Sequence, residues 1–334
     1  MFGLRIHYKI MRTLLFSLCF FMFAAPAWAN YSQREDVRQF IAEMVKKHGF
    51  DAQQLSKWMA AAEQQSTALE AIARPAESKP WKDYRPIFIT SRRINNGVEF
   101  WEKHKDILAR AEQKYGVPAE VIVAIIGVET FYGKRAGNYP VFDALTTLGF
   151  DYPPRASFFR KELEQFLLMT REEGVDPRSL KGSYAGAMGM PQFISSSFRA
   201  YAVDFDGDGH RDLWSNTADA IGSVANYFTL HGWQPGKPVA TQAEVHKPAD
   251  GLGDKQMKPH KTVAAFRKLG VVPRMSFADD EMATLLKFDG AKGDEYWMGL
   301  QNFYVITRYN HSPLYAMAVY QLSQAVAEAF HKSR

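Results

Sequence analysis

Cysteine is nearly missing from this chain, whose 334 residues contain one, Cys19. A single thiol excludes an intrachain disulfide, and with it paired-cysteine redox or zinc motifs. Long apolar runs are also scarce. One lies near the N-terminus, from Leu14 to Ala25, and is shorter than the ~20 residues that span a bilayer. Charge of one sign is not in large excess, with 41 Lys and Arg against 36 Asp and Glu. The sequence has neither low-complexity tracts nor internal repeats, which argues against a disordered chain or a solenoid.

The early apolar run has a clear use. Arg5, Lys9 and Arg12 precede it, and Ala27-Trp28-Ala29 closes it before Asn30. A charged start, an apolar middle and an A-x-A end form a secretory signal peptide, with cleavage after Ala29 and export to the periplasm. The stretch from Met11 is a complete signal by itself. Cys19 lies inside it, between Leu18 and Phe20-Phe21. Bacterial lipid anchors want a small residue before the cysteine and a polar start after it, so this context argues against anchorage. Removing three basic residues leaves the mature chain close to +2, which gives little support to nucleic-acid binding. Without disulfides, stability must come from packing or from a metal.

The mature chain is mostly helical by pattern. Helices are expected over 33–47, 51–63, 91–114, 156–172, 190–201, 217–231 and 312–330. Between 238 and 300 prolines and glycines interrupt the periodicity. "TLLKFDGAKGDEYWMGL" there reads as two strands around an Asp-Gly turn.

One helix raises a question. "VIVAIIGV", 121–128, is apolar on every face and must be buried, yet it runs into Glu129. A buried acid satisfied by an arginine or by backbone donors is the bland explanation. The aromatic residues Phe131 and Tyr132 that follow favour another. An apolar surround raises a carboxyl's pKa and makes it a proton donor at neutral pH, as glycosidases require.

"DFDGDGHRDLW", 204–214, is more specific. Asp204, Asp206 and Asp208 alternate, Gly209 takes the sixth place of the loop, His210 the seventh and Asp212 the ninth. This is the start of an EF-hand calcium loop. Its twelfth residue is Ser215 rather than a bidentate Glu, which counts against a calcium sensor. Asp219 is the expected closing ligand, and the metal is expected to be structural, pinning the loop where a disulfide is lacking.

Two further stretches are suggestive. "GSYAGAMGMPQF", 182–193, has small residues (Gly186, Ala187, Gly189) that would admit a ligand or, equally, tight packing. Ser183 and Gln192 supply polar groups there. In "NFYVITRYNHSPLY", 302–315, Tyr304, Tyr309 and Tyr315 interleave with Arg308, Asn310 and His311, which suits sugar binding or a tyrosine-rich core edge.

Together these stretches resemble the lytic murein transglycosylase B family. "GVETFYG", "GNYPVFDALTTL", "YAGAMGMPQF", the calcium loop, "ANYF" and "RYNHSPLYAMAV" occur in the family's order over roughly residues 35 to 330. The resemblance implies a mainly α (α+β) protein built on a lysozyme-like helical core with a helical N-terminal domain and a small β-containing insertion. The expected layout is a signal peptide at 1–29, a helical domain at 30–100, the catalytic core at 101–237, the β-containing domain at 238–300 and the rest of the core at 301–334. The implied activity is cleavage of peptidoglycan between N-acetylmuramic acid and N-acetylglucosamine, leaving 1,6-anhydromuramyl ends, with Glu129 as acid and then base. Ser183, Met190, Gln192, Tyr227, Tyr309, Asn310 and Tyr315 match residues lining the family's cleft. Asp204, Asp206, Asp208, His210 (through its carbonyl) and Asp219 match its Ca2+ ligands. Pro154-Arg155 stands where a pair of arginines is expected, leaving Arg155 alone to contact substrate. The implied partner is the peptidoglycan glycan strand, with cell-wall synthesis or lysis complexes possible, no organic cofactor, and a monomeric enzyme. A hydrolytic muramidase and a non-catalytic peptidoglycan-binding protein are the alternatives.

Overall fold

The structure is a computed structural model that describes residues 30–74, 79–246, 252–253 and 256–332. The segment expected to be a signal peptide, with Cys19, lies outside the described residues. No helix among them is long and apolar enough to cross a membrane.

Six helices lead to the buried one: α1 (Glu35–His48), α2 (Ala52–Ala60), α3 (Ser66–Ala73), α4 (Trp81–Phe88), α5 (Ser91–Lys103) and α6 (Lys105–Tyr115). The expected single helix at 91–114 is two helices, broken at His104, whose backbone leaves helical geometry at φ −118° and ψ 21°. Next come α7 (Ala119–Thr130), β1 (Tyr139–Pro140), α8 (Val141–Asp151) and α9 (Ala156–Glu172). α7 is buried from Val121 to Val128, as an all-round apolar helix must be, and packs against α5, α6 and α14 (Pro313–Lys332) as well as α11 (Thr217–Leu230).

β2 (Lys181–Gly182) pairs with β1, and α10 (Ser195–Tyr201) precedes α11. The helix expected from 190 starts only at Ser195. Gln192 adopts a left-handed φ of 53°, and Met188 pairs with Phe193 across the resulting turn, so residues 190–193 cannot continue a right-handed helix. α10 then begins where Glu162 of α9 accepts hydrogen bonds from Ser196 N and Oγ at 2.9 and 2.8 Å, satisfying an end donor.

The interrupted segment forms a small sheet. β3 (Ala240–Val245), β4 (Lys261–Thr262), α12 (Val263–Lys268), β5 (Val271–Pro273), β6 (Met282–Gly290) and β7 (Gly293–Gly299) follow in sequence, with antiparallel strand order β4-β6-β7-β3-β5. The β6–β7 hairpin ends on the pair Gly290–Gly293, so its turn is Ala291-Lys292, just past the expected Asp-Gly. Val263, Phe266, Val271, Ala283, Leu285, Met298 and Leu300 give the sheet its own apolar cluster, separate from the main core. The segment's ends meet where Leu300 N donates to Val239 O at 3.0 Å. α13 (Gln301–Tyr309) and α14 then return to the helical core.

Candidate active site

Glu129 is the next-to-last residue of α7. The helix stops because Phe131 and Tyr132 take left-handed backbone, φ 52° and 63°, a conformation that costs bulky residues on the order of 1–3 kcal/mol each. Neighbours hold the turn. Tyr132 OH donates to Arg93 O at 2.9 Å, and Thr130 Oγ1 donates to Met190 O at 2.8 Å while accepting from Gly133 N at 3.0 Å. The turn leaves the Glu129 side chain partly open to solvent on one side and enclosed by tyrosines elsewhere.

Tyr315 OH donates to Glu129 Oε1 at 2.6 Å. No cation pairs with this carboxyl among the described residues. Burial raises its pKa to about 7, against the smaller opposing effect of the Tyr315 bond, so protonated and ionised forms are both accessible near neutral pH. Burial, and then the nearby Glu129 charge, push Tyr315 and Tyr309 well above the usual phenol range. Both therefore remain protonated.

Met190, Gln192, Tyr227 and Tyr309 are linked around the same turn, whereas Arg155 lies against α9, and several of the expected cleft residues already have protein partners. Tyr309 OH donates to Pro191 O and Tyr227 OH to Arg308 O, each at 2.6 Å, and the Tyr227 and Tyr309 rings meet edge-on with centroids 4.8 Å apart. Gln192 donates its amide hydrogens to Ala136 O and Gly189 O, both at 3.0 Å, so its carbonyl oxygen is what it can offer a ligand. Ser183 Oγ accepts from Ala185 N and Ala187 N, closing its own loop. The small residues of that loop make room for protein: a Cβ on Gly186 would strike Leu145, and one on Gly189 the backbone of Leu213, each at 2.5 Å. Met190 is half-buried and Asn310 exposed. Arg155 is exposed, with its guanidinium 4.5 Å from the Phe158 ring centroid.

A second carboxylate near Glu129 is what two-carboxylate hydrolysis would need, and the next two acids along the chain are committed elsewhere. Asp151 binds Tyr31 and Gln64 at 2.5 and 2.7 Å and also Arg34. Asp143, raised to about 6 by burial, accepts from the Glu63 backbone. Both face the N-terminal helices.

The loop expected to hold calcium turns tightly and brings three of its expected ligands together. Asp204 accepts from the amides of Gly207, Asp208 and Gly209 at 2.7 to 3.2 Å. Carboxylate oxygens of Asp204, Asp206 and Asp219 lie within 4.8 Å of one another. Asp208 is not in that group and instead accepts from His210 N at 2.9 Å. Asp212 caps the following turn through the amides of Trp214 and Ser215. Asp219 is fully buried, and its two oxygens accept from Phe205 N and Asp212 N at 2.8 Å each. Burial and then the charges of Asp206 and Asp204 raise its pKa. Crowded hard oxygen donors with no basic partner fit a divalent cation such as Ca2+. Sequence reasoning passed over Thr130, Arg93 and Asn216, whose amide reaches Asp206 at 2.8 Å while it caps α11. The N-cap pattern before α11 was the available signal for Asn216; Thr130 and Arg93 act only through tertiary contacts.

With this geometry in place, the Transglycosylase SLT domain model matches residues 32–324 of the chain. The chain belongs to the transglycosylase SLT domain family. This transglycosylase is 48% identical over 310 residues to membrane-bound lytic murein transglycosylase B of Escherichia coli, spanning 90% of this chain and 85% of that protein. Its structure is similar to soluble lytic transglycosylase SltB1 from Pseudomonas aeruginosa, with TM-score 0.85, 56% identity, and 88% and 99% of the two chains covered. It is equally close to the Escherichia coli lytic transglycosylase Slt35 in complex with calcium, with TM-score 0.84, 48% identity, and 90% and 95% covered. The fold is the lysozyme-like α+β fold of these lytic transglycosylases.

Proposed function

We propose that this lytic transglycosylase cuts the β-1,4 bond between N-acetylmuramic acid and N-acetylglucosamine with Glu129 as its single acid and base. Protonated Glu129 gives its proton to the glycosidic oxygen as the C1–O bond breaks. The substrate's own 2-acetamido oxygen closes onto C1 in place of a protein nucleophile. Ionised Glu129 then takes the proton of the muramic C6 hydroxyl, whose oxygen attacks C1 and displaces the acetamido oxygen. The product is a 1,6-anhydromuramyl end and no water is consumed. One observation carries the reading: a buried carboxyl poised at about 7, hydrogen-bonded to a tyrosine that keeps its proton and paired with no cation among the described residues.

Tyr315 orients the carboxyl. Tyr227, Tyr309, Met190 and the Gln192 carbonyl offer ring faces and acceptors to the sugars, with Ser183, Asn310 and Arg155 at the margins. Ca2+ would be held by Asp204, Asp206 and Asp219 and by the His210 carbonyl, and Asp208 would join them only by giving up the bond it accepts from His210 N. It would supply structural charge neutralisation. The segment read as a signal peptide supports a periplasmic enzyme, which would act on glycan strands as a monomer.

The test is mass spectrometry of muropeptides released from sacculi by wild type and by Glu129→Gln. Anhydro ends from the wild type alone support the reading. Reducing ends would make the enzyme a hydrolase, and release by the variant would remove Glu129 from the chemistry.

A further inference from the structure

Glu129 owes its open side to a turn that its own residues resist. Phe131, Tyr132 and Gly133 are left-handed in succession, at φ 52°, 63° and 82°. L-residues enter this region singly, and helices commonly close on one glycine. Here two aromatic residues come first and the glycine only third. With the strain released, α7 would run on as a right-handed helix. Residues 132 and 133 would then stand over Glu129, because positions three and four apart share a helix face. The turn keeps the acid uncovered.

Two devices hold it. The first is a slot for the Tyr132 ring between α5 and α7, walled by two glycines. A Cβ on Gly97 would lie 2.6 Å from the Tyr132 hydroxyl, and one on Gly127 2.7 Å from its ring. The ring is buried, meets Phe100 with centroids 5.6 Å apart and reaches the Arg93 carbonyl on α5. The second device is Thr130, which is fully buried. Its hydroxyl accepts from Gly133 N, at the far end of the turn, and donates to Met190 O, with Ile126 O also within 3.2 Å. Met190 is held in its turn, since its N donates to Leu213 O at 2.8 Å. Neither Thr130 nor Tyr132 is hydrogen-bonded to Glu129, whose side chain bonds to Tyr315.

We propose that Thr130 and Tyr132 are positioning residues that clamp this left-handed turn and so keep Glu129 aligned and uncovered for proton transfer. This rests on the reading of Glu129 as acid and base. Both side chains act through the backbone of the turn. Gly97 and Gly127 serve the same end by leaving room for the ring.

The experiment measures kcat and KM on purified peptidoglycan strands across pH, with folding followed by circular dichroism. The variants are Thr130→Val, Thr130→Ser and Gly127→Ala. The control is Thr170→Val, which removes a buried hydroxyl bonded to Leu167 O within α9. Thr130→Val and Gly127→Ala should lower kcat about 10- to 100-fold, the scale of a misplacement near 1 Å, and leave KM unchanged. Thr130→Ser keeps the hydroxyl and should restore kcat. The limb of the pH profile that belongs to Glu129 should move upward in Thr130→Val, as the covered carboxylate loses solvent, and stay in place in Thr170→Val. Wild-type kcat in Thr130→Val or Gly127→Ala, a loss that serine does not restore, or an equal loss in the control overturns the proposal. If Thr130→Val does not fold, Tyr132→Phe decides, because it removes only the bond to Arg93 O. A lower kcat at constant KM supports the clamp, and wild-type kcat overturns it. Full activity in Glu129→Gln would instead overturn the acid assignment itself, whatever the turn variants do.

Discussion

Two helices that pack together, α7 and α11, each carry a carboxylate at one end, and the two ends are built oppositely. Asp219 stands in the first turn of α11, where the helix favours negative charge, and two backbone amides bind its oxygens. Its difficulty is burial and, added to that, like charge, because Asp204 and Asp206 are within ligand distance. Glu129 stands at the last turn of α7, where the helix disfavours an anion, with no backbone donor and one phenol. Its difficulty is burial at an unfavourable helix end, with no neighbouring carboxylate to add to it. The first arrangement is relieved by a cation and the second by a proton. Buried acids in one core thus become a metal site or an acid catalyst according to what crowds them.

The sharpest way to break this comparison is Glu129→Gln, which keeps the shape and removes the proton. Cleavage should fall by at least the 10²–10⁴-fold typical of a lost general acid, with the fold unchanged by circular dichroism. Calcium gives the next effect. Saturating the loop at about a hundredfold above its Kd should stabilise the protein by about 2.7 kcal/mol, seen as a higher Tm that a chelator reverses. Asp219→Asn should reverse sign with the metal, destabilising the calcium-loaded protein and costing less, or stabilising, in chelator.

Glu129→Gln should also change stability in a pH-dependent way. The folded pKa lies above the ordinary value of 4.5, so the native state binds more protons than the unfolded chain between these limits. Wild-type stability from this group is therefore complete below about 4.5 and is lost as pH rises through about 7. The variant should gain on the order of 1–3 kcal/mol over wild type at pH 8 relative to pH 4, measured by denaturant unfolding at both. Smallest is Tyr315→Phe. Its hydroxyl favours the carboxylate, so its loss should move the alkaline limb of the kcat/KM profile upward; a downward shift would mean that Tyr315 does not hold the ionised form.

What the sequence disclosed depended on whether the signal was local. The buried helix before Glu129, the alternating aspartates and the β6–β7 strands were visible because periodicity or spacing alone defines them. The break at His104 was not, since 91–114 keeps one amphipathic pattern across it. α8 went unread because Val141–Asp151 is buried for most of its length and has no polar stripe to give it a period. The short helices α3 and α4 carry too few turns for a pattern to accumulate. Within the site, the acid was legible, but the partners of Tyr227 and Tyr309 were not. Their hydroxyls reach carbonyls more than eighty and a hundred residues away in sequence, and contacts of that kind leave no mark on spacing. The Asp208 carboxylate turned away from Asp204, Asp206 and Asp219 for a related reason: a nearby amide, that of His210, was available to it.

The hydrogen bond between Leu300 and Val239 makes the β-containing segment a cassette. The chain leaves the helical frame and returns to it at one point, which ties the end of α11's loop to the start of α13. Asn302 fixes that doorway from the helical side, binding Gln234 N, Gln234 O and Lys237 O at 2.8 Å each. Beyond the doorway the segment stays fastened to the frame, with Phe288 against Trp81, ring centroids 5.3 Å apart, and Tyr320 OH donating to Ala240 O at 3.0 Å, so a short turn from Val239 to Leu300 would keep the doorway shut but uncover the core that Leu286, Phe288 and Trp297 now close.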